Sequence, residues 1–229
     1  EYKNYACRVR EAFQEELCEA EGKLKQEMQG NYILALKHHM IPKEMEEKFA
    51  ERLAEMIVEN ENKPDTGFMS VAHILDVLCD HGYRELAWNV LTQKGCPGWI
   101  YEVEHGATTM WENWDAIRPD GQVDGCSFNH YAFGCVGDFL YRRVLGIQNA
   151  GIGYDRIRLE PGYDFPLDWA EGTYHCVHGE ITLRWKKEKD GITISGNVPV
   201  NTEAVLVLPD GSEKKLKSGK FEIKNKSII

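Results

Sequence analysis

Residues 128–145 read FNHYAFGCVGDFLYRRVL, and from 151 onward the chain reads GIGYDRIRLEPGYDF. The first stretch is apolar and aromatic at helical spacing. The second is broken by glycine and proline into short runs that alternate apolar and polar. The hydrophobic period therefore changes near residue 150, and that change decides the fold class. Upstream of it the chain reads as helices, downstream as strands. The expected organisation is a helical domain over 1–149 and a β-domain over 150–229.

Working back from 128, five further helices are expected. They cover about Asn4–Glu21, Tyr32–His39, Lys43–Asn60, Gly67–Cys79 and Tyr83–Gln93. The first carries Tyr5, Val9, Ala12, Phe13 and Leu17 on one face. The third carries Met45, Phe49, Leu53, Met56 and Ile57 against a charged face. The second, fourth and sixth are more apolar all round, and a helix of that kind is buried. This alternation predicts exposed outer and buried inner helices. Three such pairs are about half of a six-pair α/α toroid.

Working forward, strands are expected at Ile157–Leu159, Thr173–Val177, Ile181–Trp185, Ile192–Ser195, Ala204–Leu208 and Phe221–Ile223. Asp190-Gly191 and Asp210-Gly211 mark turns between them. The predicted architecture is α+β and multidomain: a partial toroid of about three helix pairs, then a small antiparallel β-domain. The run Lys214–Lys217 reads as a solvated strand edge or turn.

The bulk numbers bound the chemistry. Hydrophobic residues make up 42% of the 229, enough for a core, and the net charge is −10. The acidic excess lies before residue 180. A negative body repels phosphate backbones, so nucleic acid is an unexpected partner. No apolar run approaches the roughly 20 residues of a membrane span, so no membrane partner is expected. The opening EYKNYACRVREAF is charged from its first residue and does not read as a leader peptide. Seven cysteines in no CxxC pairing resemble neither a zinc site nor a disulfide framework. They favour a cytoplasmic setting, and neither metal nor cofactor is expected.

The stretch with chemical character is residues 101–130, YEVEHGATTMWENWDAIRPDGQVDGCSFNH. A segment this long inside a compact domain is commonly functional, and Trp99, Trp111 and Trp114 argue against disorder. Glu112 lies between two indoles. Aromatic faces suit the C–H side of a pyranose, and carboxylates bind hydroxyls or activate water. The competing reading makes Glu112 a surface carboxylate paired with a base such as Arg118. Asn129-His130 is expected to open the last helix, where the macrodipole keeps an imidazole neutral; a satisfied core histidine is the alternative. Thr66 reads as the N-cap of the Gly67 helix as well as a rim residue. For Trp99 a core position competes with a sugar platform. Thr108 and Thr109 read as caps for a helix near Met110.

Several blocks in one order carry a resemblance. GATTMWENWD at 106–115 and SFNHYAFGCVGDFLYRRVLGI at 127–147 closely resemble the signature of the bacterial α-L-rhamnosidases, glycoside hydrolase family seventy-eight. TGF at 66–68 and LAWNVLTQKGCPGW at 86–99 are similar to it. LDWAEGTYHCVHGEITLRWK at 167–186 and VPVNTEAVLVLP at 198–209 look like its C-terminal β-sandwich. The resemblance implies the second half of an (α/α)₆ barrel followed by that sandwich. It implies inverting hydrolysis of terminal α-L-rhamnose from a glycoside or oligosaccharide. Glu112 would correspond to the general base. His130 would sit near the sugar, with Trp111, Trp114, Trp99, Asn129 and Thr66 around it.

Two departures qualify this. The family's general acid lies in an acidic motif on the earlier half of the barrel, which is not in this sequence; the acids of Glu11–Glu21 read as an outer helix face. The chain is thus expected to hold one carboxylate of two and to be inactive alone. TGF continues as Met69-Ser70-Val71 where the family more often has a Gly-Thr pair. The alternatives are a related α/α-barrel glycosidase of other sugar specificity, and a non-catalytic carbohydrate-binding or assembly fragment. A half toroid exposes inner helices, leaving such a fragment free to self-associate or to bind the missing half of the barrel.

Overall fold

A computed structural model describes residues 1–226. The chain divides into two compact units, one ending at Val136 and the other opening at Gly137. The first unit is helical: α1 Tyr2–Leu17, α2 Gln29–Lys37, α3 Glu46–Glu59, α4 Phe68–Val71, α5 Ile74–Asp80, α6 Arg84–Thr92 and α7 Trp99–Glu104. Helix α2 packs on α3 and α5 on α6.

Burial follows the alternation in the sequence from α2 onward. Six of the seven residues of α5 are buried, as are Tyr32, Ile33, Ala35 and Leu36 of α2. Helix α3 buries one stripe, Phe49, Ala50, Leu53, Ala54 and Ile57. Its other face carries Arg52, which bridges Glu27, Glu55 and Glu59. Helix α1 differs: it buries no residue, and Tyr5, Val9 and Leu17 on its apolar face are exposed.

Local geometry departs from the expected helices in three places. The stretch 67–79 is two helices, because Ser70 and His73 bond three residues back, to Gly67 and Ser70, and the four-back pattern resumes with Val77 on His73. The residues of 128–131 are not helical. Helical backbone begins with a tight turn at Ala132–Cys135, continues as α8 Val136–Phe139 and widens to a π-type turn over Leu140–Leu145. Helix α7 lies in a stretch expected to be loop. It closes in a Schellman motif in which Gly106 takes a φ of +81° and Ala107 N–H reaches back to the Glu102 carbonyl at 3.0 Å.

The second unit contains two four-stranded sheets. One has the order β1 (Ile147–Asn149), β2 (Arg156–Leu159), β6 (Glu203–Val207), β7 (Glu213–Leu216). The other has β3 (Trp169–Cys176), β4 (Gly179–Glu188), β5 (Gly191–Val198), β8 (Gly219–Asn225). All pairs are antiparallel except β2 with β6, which is parallel because the chain passes through the second sheet between them. Ile147, Ile157, Leu159, Ala204 and Leu206 of the first sheet share a core with Ile181, Leu183, Trp185, Ile192, Ile194 and Val198 of the second. Strand β1 adds to the six expected, and β7 takes up the run read as a strand edge or turn at Lys214–Lys217. The turn residues 140–145 belong to this unit: the Trp185 indole N–H donates to the Val144 carbonyl at 3.2 Å.

Candidate functional site

The site is built on α7. Three of its residues reach three points of the chain that follows. The Trp99 indole N–H donates to the Phe133 carbonyl at 2.9 Å. The Tyr101 hydroxyl donates to the Ile117 carbonyl at 2.7 Å. Glu102 Oε2 accepts the Trp111 N–H at 3.4 Å. Tyr101, Trp111 and Ala116 form a small buried cluster, with Cys96, Ala107, Ile117, Cys126 and Phe128 packed around it. This cluster orders a segment with almost no regular structure.

Two stretches of that segment run side by side. His130 N–H donates to the Met110 carbonyl at 2.8 Å, and Glu112 N–H to the Ser127 carbonyl at 2.9 Å. The Thr109 hydroxyl donates to the Phe128 carbonyl. Residues between them double back on themselves: Asp124 N–H bonds Ala116 O, and the Arg118 guanidinium pairs with Asp124 at 2.7 Å. Arg118 is therefore engaged away from Glu112, and Thr109 closes the loop pairing instead of capping a helix.

Glu112 is half-buried. Its Oε2 accepts the Ser127 N–H at 2.8 Å. No hydrogen bond to its Oε1 occurs among the described residues. His130, also half-buried, accepts the Ala132 N–H at Nδ1, 3.3 Å away. A backbone N–H can only donate, so in this geometry the ring proton sits on Nε2, which is left as a donor. The imidazole is stacked between Phe68, with centroids 5.0 Å apart, and Tyr131 at 4.8 Å.

An aromatic chain continues from there. Phe68 meets Phe133 edge-on, Phe133 stacks on Trp114 at 3.6 Å, and Trp114 meets Trp99 edge-on at 5.1 Å. Trp114 and Phe68, on which His130 stacks, thus meet at Phe133, a residue not singled out in the sequence. Trp99 and Trp111 are 3% and 2% exposed. Trp99 closes this cluster against Trp114, and Trp111 is covered in the Tyr101 cluster beside Phe128. Asn129 is exposed, and its N–H bonds the Ser127 hydroxyl. Thr66 does not cap its helix: Gly67 holds the N-cap position of α4, and Thr66 Oγ1 is buried without a partner, as is Trp114 Nε1.

Glu102 also escaped the sequence reading. It is 1% exposed, and burial pushes its carboxyl up to about 7, against the lowering effect of the Trp111 N–H. It stands between the buried Tyr101 and the exposed Val103, two residues from the exposed Glu104, and nothing in the local pattern marks it. Among the described residues no group of three or more His, Cys, Asp or Glu converges as metal ligands.

Comparison with known proteins adds independent findings. Residues 1–144 match the family model described as the bacterial alpha-L-rhamnosidase 6 hairpin glycosidase domain, and residues 146–221 the bacterial alpha-L-rhamnosidase C-terminal domain. An alpha-L-rhamnosidase of Streptomyces avermitilis is 34% identical over 211 residues, covering 91% of this chain and 20% of that protein. One from Formosa agariphila is 32% identical over 192 residues, 82% of this chain and 21% of that protein. The chain therefore spans about a fifth of the length of these curated relatives. Among solved structures, the Streptomyces avermitilis alpha-L-rhamnosidase complexed with L-rhamnose superposes with a TM-score of 0.90 at 32% identity, over 97% of this chain and 24% of that one. The Aspergillus terreus enzyme gives 0.89 at 30% identity, over 97% and 26%.

Proposed function

This chain belongs to the bacterial α-L-rhamnosidase family, and from that premise we propose that it is the C-terminal portion of an inverting α-L-rhamnosidase in which Glu112 is the general base. Inverting glycosidases need a carboxylic acid to protonate the leaving oxygen and a carboxylate to deprotonate the attacking water, roughly 6.5–9.5 Å apart. In this reading Glu112 supplies the second group, and the acid comes from the part of the enzyme outside this sequence.

The observation that carries the reading is the pair of states at the Glu112 carboxylate. Oε2 is held by the Ser127 N–H, and no hydrogen bond reaches Oε1 among the described residues. A general base needs both conditions: a fixed aim, and one oxygen left to take a proton from water. His130 sits on the paired stretch, with Nε2–H left to donate to a sugar hydroxyl. Trp114 and Phe68 extend the aromatic surface beside it, with Trp99 and Trp111 as its backing and Asn129 and Thr66 at its rim. The substrate class is a glycoside or oligosaccharide ending in α-L-rhamnose.

The test is hydrolysis of p-nitrophenyl α-L-rhamnoside, with the anomer of the released sugar followed by NMR. The whole enzyme carrying this chain is expected to turn over and to release the β-anomer first. Glu112→Gln is expected to lower kcat by about 10²–10⁴-fold. The 229-residue chain alone is expected to show no Glu112-dependent turnover. Wild-type kcat in the Glu112→Gln enzyme would refute the assignment.

A further inference from the structure

Three successive residues of the loop, Met110, Trp111 and Glu112, are each held through the backbone. Met110 O accepts the His130 N–H, and the Glu112 N–H donates to Ser127 O. Between them the Trp111 N–H donates to Glu102 Oε2 at 3.4 Å. The second oxygen, Oε1, is buried with no hydrogen-bond partner among the described residues. A side chain 1% exposed with one oxygen orphaned is costly to keep. A methionine of similar length would fill the space without that cost.

We propose that Glu102 is the positioning residue for Glu112: by taking the Trp111 N–H, between the bonds that Met110 and Glu112 make to His130 and Ser127, it fixes the backbone that aims the Glu112 carboxylate. This rests on the reading of Glu112 as general base. The backbone leading to Glu112 is thus held at three successive residues. A misplacement of about 1 Å at a reacting group costs on the order of 10²-fold in rate.

The charge state of Glu102 suits that role. Burial raises its carboxyl to about 7, and the Trp111 N–H is the one opposing influence. No charged side chain of α7, of the loop that follows or of the turn before it contributes. The titratable group facing it is the Cys96 thiol, itself raised by burial and then by Asp115. Below neutrality Glu102 is thus uncharged and places no second negative charge behind the base. The folded state binds a proton that the unfolded chain releases above the ordinary value of 4.5. Glu102 therefore makes stability fall as pH rises from about 4.5 to about 7, and level off above that.

The experiment uses the whole enzyme carrying this chain, as wild type, Glu102→Gln, Glu102→Met and Glu112→Gln. It reads kcat and KM for p-nitrophenyl α-L-rhamnoside, and the unfolding temperature from pH 4.5 to 8. Glu102→Gln keeps the acceptor and is expected to hold kcat within about threefold, while flattening the fall of unfolding temperature toward pH 7. Glu102→Met keeps the packing but loses the acceptor. It is expected to lower kcat about 10–100-fold with KM within about threefold. Wild-type kcat in Glu102→Met, or equal loss in Gln and Met, would overturn the positioning role, as would an unchanged pH dependence in Gln. Full activity in Glu112→Gln would instead sink the base assignment, which separates the two failures.

Discussion

Glu112 and Ser127 hold each other twice: the Glu112 N–H donates to the Ser127 carbonyl at 2.9 Å, and the Ser127 N–H donates to Glu112 Oε2 at 2.8 Å. The backbone bond fixes where residue 112 is, and the side-chain bond fixes where its carboxylate points. The second bond depends on the Ser127 main chain alone. Ser127→Ala keeps the N–H and loses only the hydroxyl contact to Asn129 N–H, so kcat is expected within about twofold of wild type. Ser127→Pro deletes the donor. A hydrogen bond to a charged group contributes about 1.5–3 kcal/mol, which translates to roughly a 10–100-fold lower kcat. Steady-state kinetics on the whole enzyme reads this, and equal rates in the two variants would show that the N–H does not aim the base.

The β-unit offers a measurement free of any functional assumption. Trp185 is fully buried, and its indole N–H reaches the Val144 carbonyl. That carbonyl also accepts the Gly162 N–H at 3.1 Å, so removing the indole does not orphan it. Trp185→Phe is therefore expected to cost about 1–2 kcal/mol, from one hydrogen bond and part of a ring. Trp185→Ala opens a cavity between the sheets and is expected to cost about 3–5 kcal/mol. Urea unfolding of the chain distinguishes them; a similar cost for both would mean that ring packing is not what holds this core.

How far the sequence revealed these features follows from physics. The switch of hydrophobic period was legible because each period buries one face. The turns at Asp190-Gly191 and Asp210-Gly211 were legible because each needs a glycine-tolerant backbone; Gly191 has a φ of +139° and Gly211 of +79°. Glu112 and His130 stood out by residue type and company, and the structure brings their two stretches together. Helix α7 was hidden: six residues, WIYEVE, rich in aromatic and β-branched side chains and following Cys96-Pro97-Gly98, carry no helical period. Whether a tryptophan is a platform or a wall depends on what lies above it, and Trp99 and Trp111 turned out to be covered. Glu102 was invisible for the converse reason, since only tertiary burial separates it from the exposed Glu104.

One buried and one half-buried group, Glu102 and His73, should pull the pH dependence of stability in opposite directions. His73, near His38 with ring centroids 6.0 Å apart, has its imidazole lowered from the ordinary 6.5 by burial first, then by the charges of Lys37 and His38. A group whose folded value is lowered binds fewer protons folded than unfolded. Stability is therefore lost as pH falls below about 6.5 toward the folded value, the reverse of the Glu102 effect. In thermal unfolding of the chain from pH 4.5 to 8, the His73 rise offsets part of the Glu102 fall where the two overlap below about 6.5. His73→Gln is therefore expected to steepen the fall toward pH 7, and Glu102→Gln to leave a stability that rises toward about pH 6.5. Identical profiles in His73→Gln and wild type would show that His73 titrates normally in the fold.

In the proposed reading His130 serves two purposes that a substitution can separate. Its Nδ1 accepts the Ala132 N–H and helps start the turn at Ala132–Cys135, while Nε2–H is left to donate. Asparagine at 130 offers a carbonyl oxygen for the Ala132 N–H but is too short to place a donor where Nε2 stands. His130→Asn should thus keep the fold and weaken sugar binding. The expected outcome is an unfolding temperature within about 2 °C of wild type, with kcat/KM on p-nitrophenyl α-L-rhamnoside lower by about 10–100-fold. That matches the roughly 1.5–3 kcal/mol of one lost hydrogen bond in a desolvated site. Binding of free L-rhamnose, followed by calorimetry, should weaken in parallel. A large fall in unfolding temperature with unchanged affinity would mean that His130 serves the turn alone, and the donor facing the sugar would have to be sought among Asn129 and Trp114 instead.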